Sequence, residues 1–181
     1  TGVVLERGRV VYQGRVEDAL SEYVHRNSVV SDGGNLPPPA VDAGAEVLRV
    51  CMLDAEGREC GEIRFGAAWG VRIELRVRRP QTELSVAFGV KTGTDIGIFT
   101  ARTTADFDPD DYVVDFMERR VRLKCGPHVL AAGISRPGHQ IQYAPEALYI
   151  DVVPDGPGEA SGALAGAGLV VSDSLARVVR S

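Results

Sequence analysis

The sequence lacks the features that mark several large classes of protein. No apolar run is long enough to cross a bilayer as a helix, and no basic segment leads into an apolar stretch of the kind that directs secretion. Positive charge is not in excess either, since 20 Lys and Arg stand against 25 Asp and Glu, for a net charge of −5. Because nucleic-acid binders carry surplus positive charge, we expect no nucleic-acid partner.

Cysteine and histidine are scarce, with three of each, and they do not share metal-ligand spacing. Without a C-x-x-C pair we expect no zinc site, and three cysteines are best explained as free thiols of a reducing compartment. A disulfide between Cys51 and Cys60 across a hairpin is the alternative. Cys51 lies in an apolar strand and is expected to be buried. Cys125 and His128 flank a turn, but no third group orients them for nucleophilic catalysis, which favours a structural role.

Motifs for catalysis are also missing. The chain has no G-x-x-x-x-G-K-S/T phosphate loop and no apolar run ending in a Walker-B aspartate, so it should not hydrolyse ATP. Acidic residues cluster at 106–111, but this stretch contains Pro109 and is expected to be a solvated loop rather than the paired carboxylates of a glycosidase. We therefore expect a binding domain with no catalytic residue, no metal and no cofactor.

Residues 1–23 form a short unit of their own. Two strands, Val3–Leu5 and Val10–Tyr12, flank a turn at Gly8, and Val16–Val24 is predicted to be an amphipathic helix. The apolar face of this helix is expected to contain Val16, Leu20, Tyr23 and Val24. A hairpin and one helix bury too little apolar surface to fold alone. Since the chain begins with Thr, we expect it to be a fragment or a processed chain.

The remainder is predicted to be a linker followed by an all-β domain. Residues 27–44 are rich in Gly, Asn, Ser and Pro and indicate a linker. From 45 to 153 the apolar residues recur with a period of two, most clearly at Val71–Val77 and Leu84–Val90. About eight short strands without helical periodicity predict an antiparallel β-sandwich. The predicted divisions are 1–26, 27–44 and 45–181.

Individual strands follow from the same pattern. We expect Leu48, Val50 and Met52 to share the buried face of the first strand, 113–124 to be one long strand with a bulge, and 126–127 to be a turn. A further turn is expected at Arg136–His139. After a Gly- and Ala-rich stretch at 156–168, two more strands are expected at 169–171 and 175–179, and one of them could pair with a neighbouring subunit.

The N-terminal unit carries a resemblance to a known family. Leu5–Gly14 followed by Val16–Tyr23 is similar to the end of the nucleotide-binding domain of ABC transporters. A linker and then one β-domain resembles the Wzt-like ATPase subunits that export O-antigen and related polysaccharides. Within the β-domain, Ala45–Gly57, Phe65–Ile73 and Leu123–Leu130 resemble family segments, with His128 in place of an aromatic residue. Gly168–Val171 fits the family's last strand, but no Trp follows.

The resemblance implies a fold, a function and partners. It implies an immunoglobulin-like sandwich that binds a lipid-linked polysaccharide of the O-antigen type and couples it to export. The implied partners are this glycan, a second copy of the subunit, and the transporter's membrane subunit, reached through the parent ATPase domain. The implied location is cytoplasmic, at the inner face of the bacterial inner membrane. The competing class is a structural sandwich that dimerises the ATPase or binds another protein.

The residues themselves suggest where a sugar would bind. Saccharides are held by fixed polar donors and acceptors and by aromatic faces, and Arg also suits carboxylate or phosphate groups. Outward positions on several strands carry such side chains, although they could equally form a solvated face neutralised by Glu74, Glu83 and Glu118. Phe99 and Tyr149, out of phase with their apolar neighbours, could be stacking platforms or could cover the second sheet. The candidate carbohydrate-binding residues are Arg72, Arg76, Lys91, Phe99, Arg122, Gln140, Gln142 and Tyr149.

Overall fold

A computed structural model describes residues 1–6, 8–16, 18–19, 22–23, 36–41, 43–93, 95–119, 121–154 and 170–171. Almost all of this part of the chain is β-structure. The strands are β1 (Gly2–Glu6), β2 (Arg9–Gly14), β3 (Ala45–Leu53), β4 (Glu59–Cys60), β5 (Glu62–Arg64), β6 (Trp69–Val77), β7 (Gln81–Thr92), β8 (Gly97–Phe107), β9 (Asp110–Glu118), β10 (Arg122–Leu123), β11 (Gly126–Arg136), β12 (His139–Val153) and β13 (Val170–Val171).

Two sheets form the sandwich, and this confirms the predicted all-β class. One sheet has five strands in the order β5-β12-β11-β7-β8, and the other has four in the order β4-β3-β6-β9. Neighbours pair antiparallel, except that the short β5 runs parallel to the end of β12. Two small sheets, β1-β2 and β10-β13, are not hydrogen-bonded to these two, and Leu123 of β10 contributes to the core.

The core lies between the two sheets and follows the alternation of the central strands. Val71, Ile73 and Leu75 on β6 are fully buried, as predicted, because every second side chain of a strand points to the same face. Leu84–Val90 on β7 contributes the opposing layer. At the centre, the ring of Phe88 makes edge contacts with three aromatic rings, at centroid distances of 6.1, 5.8 and 5.2 Å, from Trp69, Phe99 and Phe116.

The first strand of the sandwich does not keep the predicted phase. The pairing of β3 with β6 shifts between Val47 and Arg49, which marks a β-bulge. The extra residue turns Leu48 outward, where it is 38% exposed, while Val47 and Val50 are buried. The prediction that Leu48 faces the core is therefore wrong, since alternation alone does not reveal a bulge.

The loop in the acidic stretch at 106–111 is shorter than predicted. β8 continues to Phe107 and β9 begins at Asp110, so only two residues connect them. This connection carries the chain from the five-stranded sheet to the four-stranded sheet. The Tyr112 hydroxyl donates to the Asp108 carbonyl at 3.0 Å, and its ring packs on Phe107. The predicted strand at 113–124 is divided into β9 and β10, and Gly126, expected in a turn, begins β11.

Residues 137–138 form the predicted tight turn between β11 and β12. β12 is one strand of 15 residues. Its pairing with β11 is interrupted twice, between Leu130 and Ala132 and between Ile134 and Ser135. The first interruption sets residues 145–147, including Pro145, against Ala131 alone. Such bulges bend a strand and increase the curvature of its sheet.

The second half of the predicted linker packs on the sandwich. The amide of Ala40 donates to the Ile141 carbonyl at 2.8 Å, and the amide of Arg78 donates to the Gly44 carbonyl at 2.8 Å. Ala43 is buried, and Leu36 packs against the core. We call residues 36–41 and 43–44 the strap. The strap therefore packs with the sandwich, although it precedes residue 45, where the β-domain is predicted to start.

The N-terminal unit forms the predicted hairpin, β1-β2, followed by helical residues at 16, 18–19 and 22–23. Its buried side differs from the expected one. Ala19 is 6% exposed and lies beside Gly2, whereas Val16 and Tyr23 are 60% and 41% exposed. The Tyr23 ring makes an edge contact with Tyr149 of β12 at 5.6 Å, which joins the unit to the sandwich. Leu20, Val24 and the predicted strand at 175–179 lie outside the described residues.

Candidate functional site

A shallow groove crosses the outer face of the five-stranded sheet and is a candidate binding site. Its volume is about 170 Å³. Pairing across β12, β11, β7 and β8 places outward side chains in rows, because directly opposed residues of antiparallel strands point to the same side. One row consists of Tyr143, Gly133, Ala87 and Arg102. The neighbouring rows consist of Gln140, Ser135, Ser85 and Thr104, and of Ala131, Gly89 and Thr100.

The floor of the groove is made of residues with little or no side chain. Ala87 and Gly89 on β7 lie beside Ala131 and Gly133 on β11. A Cβ atom added at Gly133 would come within 2.6 Å of the Gln142 carbonyl oxygen, so only glycine fits there without a shift. Small residues on two adjacent central strands leave backbone exposed between taller side chains. The groove is the consequence of this pattern.

The walls of the groove carry an aromatic ring and neutral polar groups. Tyr143 is 44% exposed and stands on one side, above the glycine opposite it. Gln140, Ser135 and Thr100 border the groove, and Ser85 and Thr104 share a hydrogen bond of 2.8 Å at the same end. None of the described residues that line the groove is charged. A ring face beside hydroxyl and amide groups suits a saccharide, which has an apolar face and a rim of hydroxyls.

Three of the predicted residues lie at the groove: Gln140 and Gln142 are among its lining residues, and Lys91 lies on the same sheet beside it. Gln140 is exposed at the groove's polar end. Lys91 points outward from β7, one row beyond Gly89, and its ammonium contacts the carboxylate of Asp95 at 2.5 Å. The other predicted residues are distributed elsewhere in the molecule, so the structure does not assemble the predicted set into one site.

Gln142 is buried and its amide faces the interior. Its Oε1 accepts a hydrogen bond from the Val47 amide at 2.7 Å, and its Nε2 donates to the Pro37 carbonyl at 2.7 Å. The side chain therefore joins β12 to β3 and to the strap. Because both ends of the amide are bound to backbone, this side chain holds the structure together and is not presented to a ligand.

The two aromatic candidates are also covered. Phe99 packs inward against Trp69 and Phe88, so it covers the core, which was one of the two alternatives. The ring of Tyr149 is met edge-on by Tyr23, and its hydroxyl donates to Glu146 at 2.6 Å. Burial raises the pKa of Tyr149 above its usual range. Neither ring lies in the groove.

The arginine candidates of β6 lie on the outer face of the other sheet, where each is paired with a carboxylate. Arg72 donates two hydrogen bonds of 2.8 Å to Asp115, and Arg76 donates two, at 2.8 and 2.9 Å, to Asp111. These hydrogen bonds hold the pKa of both carboxyl groups below the usual range. The expected partners Glu74, Glu83 and Glu118 are not the ones that bind these two arginines, because β9 places aspartates directly opposite.

The last predicted residue, Arg122, and the cysteines and His128 are not among the residues that line the groove. Arg122 is half-buried on β10, away from the groove. Cys51, expected to be buried, faces outward beside Arg72, and partial burial raises the pKa of its thiol to about 11. Cys60 instead packs on the core, so the two thiols lie on opposite faces of the sheet, and all three cysteines are free. His128 is buried with Nδ1 2.9 Å from the Gly126 carbonyl, and burial lowers its pKa.

Sequence reasoning missed the residues that define the groove: Tyr143, Thr100 and the small residues of the floor. A signal for them was present. Small residues occupy the outward positions of β7 and β11, at Ser85–Gly89 and at Ala131–Ser135. A sheet face without large side chains on two neighbouring strands indicates an open surface or a groove, but only the pairing of β7 with β11 shows that the two segments adjoin.

Among the described residues no group of three or more His, Cys, Asp or Glu side chains is placed to hold a metal ion. The same part of the chain contains no helix of the length and apolarity required to span a membrane.

Comparison with known proteins places this two-sheet architecture in a class of β-sandwich domains attached to transporter subunits. The family profile of the Wzt C-terminal domain matches residues 41–166. The chain therefore belongs to the Wzt C-terminal domain family, whose members are domains of ABC transporter subunits separate from the ATPase. No curated protein sequence matches the chain.

A solved structure, the crystal structure of the C-terminal domain of Wzt, is similar in fold. The match has a TM-score of 0.62 at 11% sequence identity, and it covers 91% of this chain and 99% of the other. At this identity the likeness establishes the fold, including the sandwich architecture, and does not transfer individual residues.

Proposed function

We propose that the protein binds a glycan in the groove of the five-stranded sheet, and that this glycan is a lipid-linked polysaccharide of the O-antigen type. The observation that carries the proposal is the exposed Tyr143 ring beside a floor of Gly and Ala, with hydroxyl and amide groups at one end. Aromatic rings bind the apolar faces of sugars, and a floor without side chains lets a flat ring approach the sheet. Membership of the Wzt C-terminal domain family supports the transport context.

In this proposal the domain selects the polysaccharide and does not act on it chemically. Binding would present the glycan at the cytoplasmic face of the inner membrane to a transporter formed by the parent ATPase domain and a membrane subunit. Two copies of the subunit would give two grooves per transporter. The arrangement favours recognition over catalysis because the described lining contains no carboxylate pair and no activated nucleophile.

The test is a calorimetric titration of the protein with the polysaccharide of its source organism and with unrelated glycans. We expect binding of the first alone, and we expect Tyr143→Ala to weaken it about tenfold through loss of the stacked ring. Tyr149→Ala is the matched control, because that ring lies outside the groove, and it should bind like wild type. Absence of binding by the folded wild-type protein would refute the proposal.

A protein-binding role is the second candidate, and one observation favours it. The hairpin β1-β2 exposes three apolar side chains on one face, Val3, Leu5 and Val10, each more than half exposed. Such a face is typical of a contact with another protein surface. This contact concerns the N-terminal unit and leaves the groove free, so the two roles are separable: glycan titration reports on the groove, and sedimentation of the full chain reports on self-association.

A further inference from the structure

Arg102 lies beside the groove, although it does not form part of the lining. Its register partner on β7 is Ala87, which pairs in turn with Gly133, and Gly133 pairs with Tyr143. The arginine and the aromatic ring therefore stand at the two ends of one row. Three strand spacings separate their backbones, a distance of about 14 Å along the sheet. Both residues are exposed, and they lie on the same outer face of the sheet.

Arg102 also differs from the arginines of the other sheet. On the four-stranded sheet, four arginines each contact a carboxylate of that sheet: Arg49, Arg72, Arg76 and Arg78. Arg102 is exposed, and within the described part of the chain no carboxylate contacts its guanidinium. The nearest acidic side chain on its face of β8 is Asp106, four residues along, which accepts a hydrogen bond from the Glu83 amide.

The exposed guanidinium of Arg102 can bind an anionic group. A guanidinium is always charged and presents a planar fork of donors that matches a carboxylate or a phosphate group. The groove beside it is lined by neutral residues, so an anionic ligand would meet no like charge there. The second cation on this face, Lys91, is already bound to Asp95. Arg102 is therefore a cation available to a ligand that lies across the floor.

We infer that the groove selects a glycan carrying an anionic substituent, a carboxylate or a phosphate ester, and that Arg102 binds this group. The inference rests on the proposed glycan binding and names the class of glycan. In the bound state one sugar ring lies against Tyr143, and the anionic group lies at the β8 side of the groove. Arg102 is a specificity-determining residue in this arrangement, and a neutral glycan of the same backbone would be bound less tightly.

The experiment compares three preparations of the source organism's polysaccharide: untreated, carboxyl-reduced and dephosphorylated. Each is titrated with wild type, Arg102→Gln and Arg76→Gln, which removes the same charge from the opposite sheet. We expect Arg102→Gln to weaken binding of the untreated glycan about tenfold or more, as for the loss of a charge-assisted hydrogen bond. One of the two treatments should weaken wild-type binding equally, and it identifies whether the group is a carboxylate or a phosphate.

On the treated glycan that binds less tightly, Arg102→Gln and wild type should bind alike, and Arg76→Gln should follow wild type throughout. If wild type binds all three preparations equally, or if Arg102→Gln binds the untreated glycan like wild type, the inference is wrong while the proposed function stands. If the folded wild-type protein binds no preparation, the proposed function fails and the inference fails with it.

Discussion

At the scale of single residues, two adjacent side chains of β12 point to opposite faces of the sheet and have different roles. Tyr143 points outward and forms a wall of the groove, while Gln142 points inward and is 5% exposed. The register shift between Ile134 and Ser135 inserts Ile141 as an extra residue, so that Ile141 and Gln142 are both buried. The binding surface and the contact that fixes the strap therefore share one short segment of backbone.

Gln142→Ala should destabilise the protein. The substitution removes the partner of the buried Val47 amide and of the Pro37 carbonyl, and an unsatisfied buried group costs roughly 1–3 kcal/mol. We expect the free energy of unfolding, measured in urea, to fall by about 2 kcal/mol or more. Gln140→Ala is the control, since Gln140 is exposed and its loss should change stability by less than about 0.5 kcal/mol. Equal stability of the two variants would contradict the assignment of Gln142.

At the scale of elements, the two sheets have outer faces of different chemistry. The five-stranded sheet presents small residues and the groove, whereas β6 and β9 present opposed arginines and aspartates. Exposed ion pairs add little stability individually, but the cross-strand pairs fix which residues of β6 and β9 lie opposite each other. We interpret this face as structural, which moves the proposed site away from Arg72 and Arg76.

The aspartates of β9 should make this sheet sensitive to acid. Hydrogen bonds from Arg72 lower the pKa of Asp115 in the folded state, while in the unfolded chain an aspartate titrates near about 3.9. The unfolded state therefore binds the proton first as pH falls. The stabilisation is present above about pH 4 and is lost as pH falls through the lower pKa of the folded state.

Unfolding in urea at pH 7 and at pH 3 measures this contribution. Asp115→Asn should lose less stability between the two values than wild type, by an amount under about 1 kcal/mol because the pair is partly exposed. Asp108→Asn removes the same charge from the connection outside the two strands and serves as the control. Identical acid sensitivity of wild type and Asp115→Asn would show that the pair does not couple to folding.

The elements also show what the sequence can and cannot predict. Strict alternation in β6 and β7 predicts both strands and their buried faces, since each passes through the centre of a sheet. Alternation does not predict the orientation of three side chains, Leu48, Gln142 and Phe99, because bulges and strand pairing decide which way they face. The groove depends on the adjacency of β7 and β11, which are separated by two other long strands in the chain. Local patterns contain no information about that adjacency.

At the scale of the whole molecule, the N-terminal unit and the strap both contact β12. The strap binds Ile141 and Gln142, and the Tyr23 ring binds Tyr149 farther along the same strand. β12 also supplies Tyr143 to the groove. A single strand thus connects the proposed glycan site to the strap and to the N-terminal unit.

Tyr23→Ala should loosen the N-terminal unit without unfolding the sandwich. An edge-to-face aromatic pair is worth about 1 kcal/mol, so loss of the ring should speed amide hydrogen exchange in residues 2–14 about fivefold. The amides of β6 and β7 should exchange as in wild type. Tyr23→Phe removes the hydroxyl that interacts with Tyr149 but keeps the ring contact, so it should retain most of the protection. If the alanine and phenylalanine variants exchange alike, the contact with Tyr149 does not hold the unit in place.

The most direct measurement of the central claim is an NMR titration of the isotope-labelled protein with the source organism's polysaccharide. We expect the largest amide shift changes along the groove, at Ala87, Gly89, Ala131, Gly133 and Tyr143, with little change on the face formed by β6 and β9. Changes concentrated around Arg72 and Asp115, or no changes at all in a folded protein, would contradict this claim.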